Sequence, residues 1–256
     1  MTLCLLLTAL VCGIASAQAP APRSPLESPL EVETGTTSES LSNGYTPWRS
    51  SHLGLSRKLG ERRTLYGSLT QTERFSLTDQ QITAGLYQPL GCRATFLIEG
   101  GLSPTHRVTA TDTLLGEIDW PLERGWVVDF GLRHSDYAQA HANLETLTAE
   151  RYFGPYHAAW TVYAAGLPGS AQSLSHRVQI GWFYTERSSI SLAGSFGTDL
   201  ETLGPGRVGA VAVKEYDLSG RHWITPRWGI SYAIGFQRQG NRYDKKELTV
   251  GLSTHL

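Results

Sequence analysis

The chain has 256 residues, with 22 Lys and Arg against 23 Asp and Glu for a formal net charge of −1. Bulk electrostatics so balanced predict neither nucleic acid nor acidic partners. No apolar run reaches the roughly 20 residues a membrane-spanning helix needs, which excludes a helical membrane protein.

At the N-terminus, Leu3 to Ile14 form an apolar run, and Ala15-Ser16-Ala17 supplies the small residues of a signal-peptidase site. Residues 1–17 therefore read as a cleaved secretory signal. It lacks a preceding Lys or Arg, a gap that a misassigned start codon explains. Residues 18–29 carry four prolines and read as an extended leader. Cys4 and Cys12 depart with the signal, so Cys92 stands alone and no intramolecular disulfide is expected.

From residue 30 onward the dominant signal is alternation. Trp228, Ile230, Tyr232, Ile234 and Phe236 share one face of an extended segment; Arg227, Gly229, Ser231, Ala233, Gly235 and Gln237 share the other. The pattern recurs at Trp126, Val128, Phe130 and Leu132, at Val178, Ile180, Trp182 and Tyr184, and at Leu248, Val250 and Leu252. The second face is rich in Gly, Ser, Thr and Ala with scattered charges. That suits a narrow or water-filled lumen, with the apolar face against lipid. Seven Trp and eleven Tyr beside one Met fit the aromatic girdles of outer-membrane barrels, with Trp120, Trp223 and Trp228 near strand ends.

Turn signals divide residues 30–256 into about fourteen segments. In chain order they fall near 30–40, 48–59, 63–75, 79–89, 92–102, 107–121, 125–136, 143–153, 156–166, 174–186, 189–199, 207–218, 223–238 and 243–256. The expected fold is all-β: a transmembrane antiparallel up-and-down barrel of twelve to fourteen strands forming one domain. With strand one running outward, Ser42–Pro47, Ser76–Thr78, Ser103–His106, Tyr137–Ala142, Leu167–Ser173, Glu201–Gly206 and Gln239–Arg242 would be the outer connections. The periplasmic set, which includes Gly154-Pro155 and Ser219–His222, is shorter on average.

With these segments placed, the chain resembles the YaiO-type outer-membrane β-barrel family. The likeness lies in Leu41-Ser42-Asn43-Gly44 with Trp48-Arg49, Thr72-Glu73-Arg74-Phe75 with Asp79, and Glu150-Arg151-Tyr152-Phe153-Gly154. It continues through Ser175-His176-Arg177, Glu201 to Arg207, and Leu218-Ser219-Gly220-Arg221-His222-Trp223. The resemblance implies an outer-membrane barrel, with no settled activity for the family. Its members commonly end on Phe, for recognition by the barrel-assembly machinery, whereas this chain ends on Leu256. The acidic cluster expected after Gly197 is thinned to Thr198-Asp199-Leu200-Glu201, and Lys245-Lys246-Glu247 replaces an Arg-rich entry to the last strand.

The chemistry-bearing residues divide into three sets. Ser51-His52, His134-Ser135 and Ser175-His176 are neighbours in sequence, but adjacent strand residues point to opposite faces, so no pair can cooperate directly as nucleophile and base. The eight histidines show no His-x-His, His-x-x-x-His or Cys-x-x-Cys spacing, so no metal and no cofactor is expected. The charges Arg74, Asp79, Glu99, Glu117, Asp119, Asp129, Arg133, Glu150, Arg151 and Arg221 are placed in the lumen, either as a paired brace or as a constriction that selects solutes by charge.

Together these features predict an exported outer-membrane barrel of a Gram-negative-type cell, embedded in outer-membrane lipids. Three readings stay open: a small passive pore or a barrel that binds a small solute or glycan, an accessory barrel for envelope organisation or export, and an outer-membrane lipid-modifying enzyme.

Overall fold

The computed structural model describes residues 30–91, 93–167, 172–204 and 207–256. The signal, the leader, Cys92 and the turn at Pro205-Gly206 lie outside the described residues. Fourteen strands follow one another: β1 (Leu30–Leu41), β2 (Trp48–Gly60), β3 (Arg63–Arg74), β4 (Leu77–Leu90), β5 (Ala94–Leu102), β6 (Asp112–Pro121) and β7 (Trp126–Tyr137). They continue as β8 (Ala140–Phe153), β9 (Tyr156–Gly166), β10 (Ser173–Phe183), β11 (Ser189–Gly204), β12 (Arg207–Trp223), β13 (Trp228–Gln239) and β14 (Tyr243–His255). Each pairs antiparallel with its sequence neighbour, and β1 pairs with β14, so the sheet closes and leaves no free edge. The strand count is even, which puts both ends of the barrel chain at the same rim. One 3-10 turn at Glu123–Gly125 interrupts the described strands, and among the described residues no helix is long and apolar enough to cross a membrane. The membrane is crossed by strands.

Alternation fixes which side chain goes where. Ile98, Leu132, Leu147, Val178, Leu192, Ile234 and Val250 are about half exposed on the outside of the barrel. Their neighbours, among them Arg133, Arg177, Thr249 and Ser253, are buried inside. A soluble protein would reverse this distribution; lipid outside and a polar lumen explain it.

Several boundaries differ from those the sequence suggests, and three of them bear on the lumen and its rim. β6 begins at Asp112 rather than near 107, because residues 103–111 fold back onto the rim. There the Asp79 carboxylate accepts the backbone N–H of Val108 at 2.6 Å and of Thr109 at 2.9 Å. β12 runs through the expected Ser219–His222 turn to Trp223, and the turn falls at 224–227. Gly220 marks a close approach, not a bend: a Cβ there would meet the Tyr232 ring at 2.8 Å. β11 extends to Gly204, past the expected end near 199.

Trp120 and Trp228 sit on the outer face near strand ends, as girdle residues should. Trp223 does not. Its ring lies inside the barrel, 3.8 Å from the Arg187 guanidinium and edge-on to His255.

Candidate functional site: the charged lumen

The lumen wall has two electrically different sides. One spans β14, β1, β2 and β3 at the rim remote from the termini, where Arg74 is 3.4 Å from Glu39 and 5.1 Å from the centre of the Trp48 ring. Lys245 donates to Glu39 at 2.6 Å and stands 3.4 Å from Glu247. These groups are all buried, and Tyr45, Phe75 and Tyr243 pack edge-on around Trp48 and its neighbours. Further round, Arg177 sits 2.7 Å from Asp217 and donates to Ser195 Oγ at 3.2 Å. This side is a brace of opposite charges.

The other side spans β6, β7 and β8. Cross-strand register sets Asp119 directly opposite Asp129. Glu117 stands on the same strand face two residues before Asp119, opposite Gly131. That glycine makes the room: a Cβ on it would lie 2.4 Å from Thr146 Oγ1 and 3.3 Å from Glu117 Oε2. Glu150 on β8 accepts the Tyr152 hydroxyl at 3.0 Å and lies 3.3 Å from His157 Nε2. Arg133 is the nearby guanidinium, but it reaches Glu99 at 3.2 Å, and the same carboxylate accepts the Tyr66 hydroxyl at 2.5 Å. Four carboxylates thus share one wall, two of them in direct opposition, an arrangement that destabilises a sheet.

The expected lumen set divides accordingly. Arg74, Glu99 and Arg133 are paired inside. Glu117, Asp119, Asp129 and Glu150 form the acidic wall. Asp79 is fully buried, but it anchors residues 107–109 at the rim and also receives Arg107 Nε at 3.4 Å. Arg221 sits inside near the terminal rim, bonded to Glu31, 3.4 Å from Ser253 Oγ and 5.3 Å from the Trp223 ring centre. Arg151 departs from the expectation. It pairs in register with Trp126 on the outer face and lies 5.3 Å from that ring, a cation–π contact at the membrane boundary.

Sequence reasoning left Glu39, Arg177, Glu215, Asp217, Lys245 and Glu247 out of the lumen. All occupy inward positions of their strands, so parity alone could have found them. The Ser-His neighbours fall as expected: His52 faces inward with Ser51 outward, Ser135 inward with His134 outward, and Ser175 inward with His176 outward between Trp160 and Phe196.

Solved barrels resemble the whole of this architecture. The outer membrane protein Omp33 of Acinetobacter baumannii superposes with a TM-score of 0.57 at 10% identity, covering 91% of this chain and 100% of its own. The toluene transporter TodX of Pseudomonas putida gives 0.58 at 11% identity, over 92% of this chain and 90% of its own. The translocator domain of the autotransporter NalP from Neisseria meningitidis gives 0.52 at 11%, over 99% and 95%. Identities this low establish the fold alone, and carry no activity across. No curated protein matches the chain in sequence. The YaiO membrane β-barrel domain, however, matches residues 30–201, from β1 into β11, and the chain belongs to that family.

Proposed function

We propose that the protein is a small passive pore of the outer membrane that favours cations or cationic solutes. The observation behind this reading is the opposition of Asp119 and Asp129 across β6 and β7, with Glu117 and Glu150 beside them and the nearby Arg133 engaged by Glu99. A purely structural wall would alternate charge signs, as the opposite side does. A run of carboxylates facing a lumen attracts cations and repels anions. Fourteen strands leave a wider interior than the eight-stranded barrels that side chains fill. In the cell, residues 1–17 would direct export, the assembly machinery would insert the barrel, and β1 would run outward with both termini in the periplasm.

The alternative is an accessory barrel that organises the envelope or an export apparatus. It draws on the brace of Arg74, Glu39, Lys245 and Glu247, which resembles the filled interior of a scaffold. Planar-bilayer recordings of the refolded, heat-modifiable protein decide between them. The pore gives discrete steps and a reversal potential of cation-selective sign in a salt gradient. The double change Asp119→Asn with Asp129→Asn moves that potential toward zero. A silent bilayer from well-folded protein rejects the pore in favour of the accessory role, and anion selectivity rejects the assignment of the acidic wall.

A further inference from the structure

The hairpin joining β7 to β8 brings together residues that the sequence keeps apart. Asp136 and His141 are cross-strand partners flanking its tip, and His134 pairs with Asn143 one step further down. By strand parity His134, Asp136, His141 and Asn143 all face outward, at the rim remote from the chain termini. One ligand atom from each of His134, Asp136 and His141 lies within 4.8 Å of the others. His134 Nε2 is 3.3 Å from Asp136 Oδ1, and His141 Nδ1 contacts the same oxygen. The two imidazoles are near parallel, at 12°, with centres 6.2 Å apart.

We infer that this hairpin is a binding site for a borderline divalent cation, with zinc the best fit. The donor set is two imidazole nitrogens and one carboxylate oxygen, which suits zinc and its late first-row neighbours rather than calcium or magnesium. Zinc–ligand bonds of about 2.0–2.2 Å in a tetrahedron put neighbouring donors roughly 3.3–3.5 Å apart. The His134–Asp136 separation already has that value, and the exposed His141 ring can open its contact by rotation.

The surroundings support the same reading. Asn143 Oδ1 accepts the Nδ1–H of His134 at 2.7 Å, which fixes the ring and directs the Nε2 lone pair toward Asp136. Metal-bound histidines are held in this way by an outer carbonyl or carboxylate. Asp112 stands opposite Asp136 on β6, on the same outward face, and adds a second carboxylate beside the first. The side chains are 47%, 29% and 64% exposed for His134, Asp136 and His141, so an ion reaches them from solvent without entering the lumen. Three protein ligands leave a fourth position for water or a donor from another molecule.

The test uses the full mature chain refolded in detergent, with zinc ion alone as probe and calorimetric titration as readout. The wild type should bind zinc and not calcium at this site. His141→Ala should weaken zinc by at least ten-fold, and Asn143→Ala, which removes no ligand, by roughly 10- to 100-fold. Cobalt(II) should show the visible absorption of a tetrahedral complex in the wild type and lose it in His141→Ala. The gel shift on heating certifies that each variant is a folded barrel. Zinc affinity unchanged in both variants, or calcium binding as tight as zinc, overturns the proposal. A pore that fails to conduct leaves this result untouched, since the site faces away from the lumen.

Discussion

A single position shows how close packing and charge trade against each other on this wall. Asp119 and Asp129 stand opposite each other across the ladder, where like charges are unfavourable, so Asp129→Asn should stabilise the barrel by roughly 0.2–1 kcal/mol while weakening cation selectivity. Urea unfolding and reversal potentials measured on the same protein check both halves. A variant that lost stability would show that the two side chains support each other instead. Glycine acts by what it leaves empty. A Cβ on Gly85 would lie 2.4 Å from the Tyr66 ring, which covers this strand and donates its hydroxyl to Glu99. Gly85→Ala therefore has to push the ring aside and cost about 1–3 kcal/mol, read as a lower urea midpoint. Parity in the sequence placed Glu99 and Asp129 in the lumen. It did not say that one would be paired and the other opposed, because that depends on the neighbouring strand.

Individual strands depend on their seam. β1 and β14 come from opposite ends of the barrel chain, and the Lys245–Glu39 bond crosses their junction in full burial. Lys245→Met should cost about 3 kcal/mol, the low end for breaking a buried pair, since Arg74 still reaches Glu39. The expected readout is loss of the heat-modifiable form at lower temperature, with unchanged mobility of the unheated band. Strand boundaries were legible where turn chemistry is local, as at Asn43 and Gly44, both with positive φ. They were misread where a glycine serves packing rather than turning, as at Gly220. The start of β6 was misread because Asp79 draws residues 107–109 to itself from β4, and no local pattern records that bond.

For the molecule as a whole, the solvent is lipid. Ile234 lies midway along β13 on the outer face, 54% exposed, and Ile234→Arg should cost about 2–4 kcal/mol in a bilayer. Equilibrium unfolding from vesicles measures it. In water alone the same change would expose nothing new and cost little, so the size of the effect reports the lipid. Orientation is tested by Gln139→Cys in a Cys92→Ser background. A membrane-impermeant maleimide should label the hairpin tip on intact cells, and labelling only after the outer membrane is breached would reverse the proposed direction.

The sequence by itself determined that the chain is a membrane barrel, which face of most strands meets lipid, and the number and order of the segments, though not every strand end. Side-chain direction repeats every two residues along a strand, so this information is local and survives without any partner. Only the tertiary structure decided how the charges divide into a brace and an acidic wall, that Trp223 turns inward, and that His134, Asp136 and His141 meet. Those outcomes follow from register across hydrogen-bonded strands and from closure of β14 on β1, which join residues as far apart as Glu39 and Lys245.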